Sequence, residues 1–179
     1  MRADFTDACY TTEMGTDAHR AAAAELVVTV GIVTVSDSRT RETDTNGTYL
    51  RERIAEAGAS VSGYELVRDE PVEVRAAVDG LVSSSRVVVV NGGTGVSRRD
   101  TTYDALAGML EKTLPGFGEL FRMLSWDQVG AAAMLSRATA GTYRGAVVVS
   151  IPGSPKAVAL AWEQLIGPEL RHLAWEVGR

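Results

Sequence analysis

Apolar residues are grouped along the chain in blocks of two kinds. Residues 26–35, 87–90 and 146–151 are almost wholly β-branched or apolar, a composition typical of short strands buried on both faces of a sheet. Residues 61–67 predict a weaker strand, because a serine and a glycine interrupt the apolar run. Each of these four strands is followed by a segment in which apolar residues recur at helical spacing.

The helical segments are recognised by apolar residues three or four positions apart. One such stripe, Val74, Val78, Leu81 and Val82, follows Pro71, which suits the first turn of a helix. Other stripes begin near residues 49, 105, 117, 158 and 170. Residues 131–135 continue a helical pattern, residues 141–145 predict a turn, and the Gly-Pro pair at 167–168 predicts an interruption of the last helix.

The alternation of strands and helices predicts an α/β fold, namely a three-layer α/β/α sandwich with a mainly parallel sheet. We expect one domain over residues 26–179, because no repeat or linker divides this part of the chain. Residues 1–25 are polar and then alanine-rich. They predict a flexible N-terminal tail, with or without a short helix at its end.

Polar or glycine-rich residues follow three of the predicted strands, at residues 36–39, 91–100 and 152–156. Right-handed crossovers bring the carboxyl ends of parallel strands to the same edge of a sheet. Open α/β sheets bind their ligands at this edge. The three loops therefore predict one composite binding site.

The loop of residues 91–95, with the sequence NGGTG, leads from a strand into a predicted helix. Glycines let backbone N–H groups face a ligand, and a helix N-terminus adds partial positive charge, so this arrangement favours a phosphate site. Arg98 and Arg99 would strengthen the field. The loop fits neither GxxxxGK[ST] nor GxGxxG, and a tight turn alone would also require glycine.

Two aspartates near the glycine loop are candidates for metal binding. At Asp100, a carboxylate beside bound phosphates fits a bridging divalent cation, although the same residue type also caps helix N-termini. Asp69 follows the second strand, where it and Glu70 would equally stabilise the positive end of the next helix. Both interpretations stay open on residue type alone, and for Asp100 they are compatible.

Composition excludes several other classes of function. The net charge of −5 is opposite in sign to that of nucleic-acid-binding domains, so we expect no nucleic-acid partner. His19 and His172 are the only histidines and Cys9 is the only cysteine, which argues against a histidine-based triad or a cysteine-rich metal site. No apolar run approaches the roughly 20 residues that cross a bilayer, and no secretory signal is recognisable, so we expect a cytoplasmic protein without a membrane partner.

Several motifs, in the same order, resemble those of the molybdopterin-binding proteins of molybdenum cofactor biosynthesis. GGTG at residues 92–95, followed by RDTT at residues 99–102, is similar to the family signature GGTG…RD-x-T. Further similar blocks are TVSD at 34–37, PGFGE at 115–119, LSR at 135–137 and PGSPK at 152–156. The resemblance covers about residues 27–175, and FRMLS at 121–125 makes the chain most similar to the B-type subgroup.

Two positions depart from the family pattern. Asn91 stands where threonine is usual before GGTG, and Tyr103 stands where proline is common after RD-x-T. Asn91 keeps a polar side chain, so we expect little loss there. Tyr103 replaces a rigid first helical residue, so we expect it to shift a wall of the pocket.

The resemblance implies adenylylation of the molybdopterin phosphate by MgATP, with release of pyrophosphate. Carried over by position, Asp69 and Asp100 match two carboxylates that the family uses in catalysis, and both are expected ligands of Mg²⁺. The alternative that the B-type subgroup implies is a non-catalytic protein of the same pathway that binds molybdopterin or docks to a partner enzyme. The expected nucleotide- and pterin-binding residues are Ser36, Asp37, Gly92, Gly93, Thr94, Gly95, Ser97, Arg99, Thr102, Ser136, Arg137, Pro152, Gly153 and Ser154.

The resemblance also implies partners. The expected small-molecule partners are molybdopterin and ATP, and a protein partner would be the molybdenum-inserting enzyme of the pathway. Family members form homotrimers, and B-type members often form homohexamers. The sequence itself gives one indication of assembly, because Phe117, Phe121, Met123 and Trp126 concentrate large apolar groups in one segment.

Overall fold

The structure, a computed structural model, describes residues 19–97 and 100–178 of the chain. Its strands are β1 (Thr29–Val35), β2 (Ser60–Val67), β3 (Val87–Asn91), β4 (Lys112–Thr113), β5 (Thr139–Tyr143) and β6 (Ala146–Ile151). They form a single six-stranded sheet in the order β2-β1-β3-β6-β5-β4. Pairing is parallel from β2 through β1 and β3 to β6, whereas β5 is antiparallel to β6 and β4 is antiparallel to β5.

Helices connect and cover the strands. They are α1 (Thr45–Glu56), α2 (Pro71–Val82), α3 (Thr102–Ala107), α4 (Pro115–Val129), α5 (Pro155–Ala161) and α6 (Gly167–Glu176). A 3₁₀ segment, Gly130–Leu135, follows α4, and a π-helical segment, Trp162–Ile166, joins α5 to α6. Across the described residues, every helix falls short of the length and apolar character that a bilayer crossing demands.

Two hydrophobic cores lie on opposite faces of the sheet. On one face, α1, α4, α5 and α6 pack through residues such as Leu50, Phe121 and Leu170. On the other face, α2 and α3 pack through residues such as Val78 and Leu106. Every residue of β3 is buried, as its run of valines predicts for a strand covered on both faces. The predicted three-layer α/β/α sandwich with a mainly parallel sheet is confirmed.

Residues 141–145 are not the turn that the sequence predicts. Residues 141–143 belong to β5, and only Arg144 and Gly145 turn the chain, both with positive φ. The glycine at position 141 serves the sheet, because a Cβ there would lie 2.3 Å from the backbone oxygen of Lys112 on β4. Glycine in a strand often marks such a close backbone approach, which sequence alone does not distinguish from a turn.

The predicted interruption at Gly167-Pro168 is also wrong, because the backbone stays helical through both residues. The irregularity lies just before them, in the π-helical segment Trp162–Ile166. Pro168 lies in the first turn of α6, directly after this irregular segment. Residues 131–135 are helical as predicted, within the 3₁₀ segment.

The N-terminal segment of residues 19–25 lies against the end of the domain. Residues 19–23 are helical, Ala23 is buried, and the His19 ring lies 4.7 Å from the Trp175 ring between centroids. The predicted flexible tail of residues 1–25 thus has its last part packed beside α6. For residues 1–18, which lie outside the described residues, flexibility stays a prediction.

Candidate functional site

The strand order creates a crevice between β1 and β3. From β1 the chain continues to β2, which lies on the side of β1 away from β3. From β3 it continues to β4, β5 and β6, which all lie on the side of β3 away from β1. Ligands of open α/β sheets bind outside the carboxyl ends of the strands at such a switch point. The loops after β1, β3 and β6 meet at this edge, as the sequence predicts, and the loop after β2 joins them.

A buried amide pair ties three of these loops together. The Asn91 side chain at the end of β3 donates from Nδ2 to Val33 O (3.1 Å) and to Thr34 Oγ1 (3.0 Å) on β1. Its Oδ1 accepts from Asn46 Nδ2 (3.0 Å), which also donates to Gly153 O (2.9 Å) after β6. Both asparagines are at most 2% exposed, so these hydrogen bonds hold the crevice in a fixed shape.

The glycine loop requires glycine at two successive positions. Gly92 has φ +114° and Gly93 has φ +64°, conformations that residues with a Cβ rarely adopt. A Cβ on Gly92 would lie 2.2 Å from Val35 O, and one on Gly93 would lie 2.2 Å from Thr102 Oγ1. Gly153 packs against the Gly92 backbone. The loop is therefore held by contacts that no larger residue would permit.

Asp69 lies in the loop after β2 and accepts hydrogen bonds from the residues at the start of α3. Its Oδ1 accepts from Thr101 N (3.1 Å), Thr101 Oγ1 (2.9 Å) and Thr102 Oγ1 (3.1 Å). Its backbone N–H donates to Asp37 Oδ1 (3.2 Å) in the loop after β1. A Cβ on Gly93 would lie 2.5 Å from Asp69 Oδ2. The carboxylate of Asp69 is thus fixed against the glycine loop.

Asp100 lies on the other side of the same loop. Its Oδ2 accepts from Ser97 N (2.9 Å), and a Cβ on Gly95 would lie 2.6 Å from this oxygen. The side chain of Asp100 does not cap α3, since that helix has Thr101 as its N-cap residue and Asp69 as its side-chain acceptor. Asp69 and Asp100 therefore contact loop residues only two positions apart.

Arg137 clamps the glycine loop to α3. Its Nε donates to Thr94 O (3.3 Å), its Nη2 donates to Asp100 O (2.8 Å), and its Nη1 pairs with the Asp104 carboxylate (2.9 Å). The guanidinium also lies over the Tyr103 ring, 4.8 Å from its centroid. This is a cation–π contact, which a proline at position 103 would not offer. The shift of a pocket wall expected at Tyr103 stays a prediction.

The remaining predicted site residues divide between the crevice and a neighbouring cavity. Ser36 Oγ accepts from the amides of Ser38 and Arg39 and so shapes the loop after β1. Thr94, within the glycine loop, and Thr102, against Gly93, are both buried. Arg99 lies outside the described residues.

An apolar cavity of about 560 Å³ opens beside the crevice, between α4 with its 3₁₀ extension and the start of α5. Ser136, Pro152 and Ser154, all predicted site residues, line it together with Phe121 and Lys156. Ser154 Oγ accepts from Ala157 N (3.2 Å) as the N-cap of α5. Cavities of this size, mostly apolar with a few polar groups, commonly hold small organic ligands.

Comparison with known proteins agrees with this architecture. Residues 31–172 match the family described as probable molybdopterin binding domain. The chain belongs to this family. The molybdenum cofactor biosynthesis protein B of Bacillus cereus is 48% identical over 151 residues, which cover 83% of this chain and 89% of that protein.

Solved structures of the same family share the fold of this molybdopterin-binding domain. A crystal structure of a molybdenum cofactor biosynthesis protein B has a TM-score of 0.82 at 47% identity, covering 86% of this chain and 98% of that one. The tungsten cofactor synthesizing protein MoaB from Pyrococcus furiosus has a TM-score of 0.78 at 35% identity, with the same coverage. The family places the chain among the proteins of molybdenum cofactor biosynthesis.

Asp44 is a buried carboxylate of this molybdopterin-binding domain that sequence reasoning did not single out. It stands before α1, two residues from Asn46, and its side chain is 0% exposed. Burial alone would raise the pKa of Asp44, but its hydrogen-bond donors outweigh burial and hold the pKa below the usual aspartate value. The donors are Thr34, Tyr64, the Gly47 amide and Arg39. Burial and the Asp44 carboxylate together raise the pKa of Tyr64 to about 12.

We expect Asp44→Asn to lower the free energy of unfolding by about 2 kcal/mol at pH 7, because it removes a buried charge paired with Arg39. A carboxylate whose pKa is lower in the folded state stabilises fully above its unfolded pKa of about 3.9. That stabilisation is lost as the pH falls below this value. Urea unfolding between pH 3 and 7, at one protein concentration, should therefore show wild type and variant converging in acid. A difference in the free energy of unfolding between wild type and variant that stays constant with pH would contradict this role of the Asp44 carboxylate.

Proposed function

We propose that this protein adenylylates molybdopterin, using MgATP and releasing pyrophosphate. The observation that carries the proposal is the position of the glycine loop between Asp69 and Asp100 at the switch point of the sheet. Phosphate oxygens need positive partners, whereas carboxylates at the same place repel them. Carboxylates beside a phosphate site are favourable when a divalent cation lies between the carboxylates and the phosphate oxygens.

The donor set fits Mg²⁺. Mg²⁺ prefers oxygen ligands and is commonly held by one or two carboxylates together with substrate phosphates. Asp69 would offer Oδ2, because its Oδ1 already accepts three hydrogen bonds. When bound, Mg²⁺ would neutralise charge on the nucleotide phosphates, and Asp69 and Asp100 are the residues that would hold it.

The glycine loop offers N–H groups to the nucleotide. The Gly92 amide donates to Ile151 O (3.0 Å) and so anchors the loop. The amides of residues 93–95 have no hydrogen-bond partner within residues 19–97 and 100–178. Backbone N–H groups fixed in this way can bind phosphate oxygens without reorganising during the reaction.

The reaction that these groups serve is a displacement at phosphorus. A phosphate oxygen of molybdopterin attacks the α-phosphorus of ATP, one P–O bond forms, and the bond to the β-phosphate oxygen breaks. Pyrophosphate leaves with the electron pair of that bond. Since both reactants are anions, the protein contributes mainly by aligning them and by stabilising charge, and no protein nucleophile is required.

The pterin would occupy the cavity of about 560 Å³ beside the crevice. Val129 at the end of α4, which is 54% exposed, offers an apolar surface to a planar ring, and Lys156 brings a cation at the start of α5. Ser136, after the 3₁₀ segment, and Ser154, before α5, add hydroxyl groups to the lining. The cavity and the glycine loop adjoin through residues 152–154, so the ring and the reacting phosphate can be held at the same time.

An adenylylation assay tests the proposal directly. Purified protein, molybdopterin and MgATP should form adenylyl-molybdopterin, and the product should be absent when Mg²⁺ is chelated. Calorimetric titrations with molybdopterin and with MgATP accompany the assay. Pterin binding without product and without MgATP binding would contradict the enzyme, and would favour the non-catalytic binding protein instead.

The proposed assembly into trimers or hexamers has a surface that supports it. Met123 and Trp126 on α4 are both 61% exposed, and Met134 on the 3₁₀ segment is 77% exposed. A contiguous exposed apolar patch of this kind is typical of protein–protein contacts.

We expect light scattering to give a mass three or six times that of the 19.0-kDa chain. Replacing both Met123 and Trp126 by Glu should reduce the mass to one chain, because charges are then buried without partners. Val72→Glu on α2, at a position that is 79% exposed, is the control and should leave the mass unchanged. A wild-type mass of one chain would refute the assembly.

A further inference from the structure

A second polar cluster lies away from the crevice, where the N-terminal segment meets α6. His19 Nδ1 lies 2.9 Å from Glu176 Oε1, and His172 Nε2 lies 3.5 Å from the same oxygen. Ligand atoms of all three side chains lie within 4.8 Å of one another. Among the residues that the structure describes, this is the one group of three histidine or acidic side chains brought so close.

Packing of distant parts of the chain creates the cluster. His172 and Glu176 are four residues apart on α6 and therefore share one face of the helix. His19 comes from the other end of the chain and is held by its ring contacts with Trp175 and His172. The cluster is also remote from the crevice, because α6 ends near Arg86, at the edge of the sheet where β3 begins.

Glu169 fixes the orientation of one imidazole. Its Oε2 lies 2.8 Å from His172 Nδ1, so in the Nδ1-protonated tautomer the carboxylate accepts that proton and Nε2, 3.5 Å from Glu176 Oε1, is the nitrogen left to bind a metal. Histidine ligands of metal ions typically have such a carboxylate behind them, which sets the tautomer and the ring plane. Glu169 would thus be the carboxylate behind His172, in addition to the three possible metal ligands.

Charge and access also favour a cation. Glu169 and Glu176 carry two negative charges, and Arg20, which forms an ion pair with Glu169, carries one positive charge. Summed over these described side chains alone, with both imidazoles neutral, the charge is −1. The side chains of His19, His172 and Glu176 are 39%, 22% and 42% exposed, so an ion can reach the site from solvent.

We propose that His19, His172 and Glu176 bind one zinc-like divalent transition-metal ion per chain. Two imidazoles and a carboxylate form a common zinc ligand set that leaves a fourth position for water, whereas Ca²⁺ and Mg²⁺ prefer oxygen ligands alone. Neighbouring ligands of a tetrahedral zinc ion lie about 3.4 Å apart, close to the 2.9 and 3.5 Å found here. The bound ion would fasten residues 19–25 to α6.

The test is titration of the metal-stripped, untagged full-length chain with ZnCl₂ in a calorimeter, without nucleotide. The Cys9→Ser background removes the one thiol that would compete for zinc. We expect one ion per chain, and a weakening of about tenfold or more in His19→Ala and in His172→Ala. Glu52→Gln, an exposed carboxylate on α1, serves as control and should bind zinc as wild type does.

Thermal unfolding gives a second readout that needs no substitution. Zinc should raise the Tm of the wild-type chain, whereas Ca²⁺ at the same concentration should not, since a ligand that binds only the folded state stabilises it. His19→Ala should remove the zinc effect, and this residue precedes the sheet, so its loss leaves the core intact. Absence of stoichiometric zinc binding, or equal affinity in wild type and both histidine variants, would overturn the proposal. Neither readout depends on the adenylylation activity.

Discussion

Asp100→Asn should reduce the rate of adenylylation about 1,000-fold while the fold persists. The substitution keeps the size of the side chain and an oxygen that can accept from Ser97 N, so the local hydrogen bond survives. What disappears is the negative charge beside the glycine loop, and with it one of the two proposed Mg²⁺ ligands. A loss of this size corresponds to about 4 kcal/mol of transition-state stabilisation.

A steady-state assay with varied Mg²⁺ measures this effect. If Asp100 holds the metal, the variant should need a higher Mg²⁺ concentration for half-maximal rate, in addition to its lower maximal rate. Asp69→Asn should behave in the same direction, because its Oδ2 is the second proposed ligand. Asp79→Asn on α2 is the matched control, since this aspartate pairs with Arg144 far from the crevice and should leave the rate unchanged. Turnover by Asp100→Asn near that of wild type would contradict the proposed site.

Gly92→Ala should destabilise the protein by about 4 kcal/mol or prevent folding. The added Cβ would lie 2.2 Å from Val35 O, a backbone atom at the end of β1, which is paired with β2 and β3 and cannot move aside. The φ of +114° adds strain wherever the Cβ is accommodated. Two independent costs therefore fall on one methyl group, and the clash at Gly92 is with the backbone, whereas the clash at Gly93 is with side chains.

Urea unfolding of a graded series of glycine variants measures the effect. Gly153→Ala places its Cβ 3.1 Å from Gly92 Cα, so a small shift suffices and a loss of about 1 kcal/mol is expected. Gly80→Ala on α2 has nothing within 4 Å and should stabilise by about 0.5–1 kcal/mol, as alanine does in helices. A Gly92→Ala protein as stable as wild type would show that the loop is not held in this conformation.

The parallel half of the fold could be predicted because its signals are local. The valine run of β3 and the stripe on α2 each identify a strand or helix within a dozen residues. Strand β4, with only two residues, has no periodic pattern at all. β5 contains a glycine and two threonines, so its pairing with β6 depends on contacts that sequence spacing does not reveal.

The candidate site was predictable as a set of loops but not as a set of contacts. Asp69 and Asp100 could be proposed from their positions after a strand and before a helix. The finding that Asp69 anchors Thr101, 32 residues later, depends on how a whole crossover packs. Asn46 reaches Gly153 across 107 residues, and its only signal in sequence is a polar loop ending in glycine.

The role of Arg137 illustrates the same limit. Its place in the LSR block predicts a ligand-binding residue, and the structure gives its guanidinium three protein partners, Thr94 O, Asp100 O and Asp104. A positive side chain in such a motif can contribute to ligand binding by holding in place the loop that binds the ligand.

The π-helical segment Trp162–Ile166 means that the long C-terminal helix accommodates an additional residue without a loop. The surplus is absorbed by wider hydrogen-bonded turns, so α5 can keep its place at the cavity while α6 keeps Leu170 and Ala174 in the core. A related chain that is one residue shorter here could retain both contacts in an unbroken α-helix. Insertion or deletion of one residue in this segment would then change neither the position of α5 at the cavity nor the packing of α6 in the core.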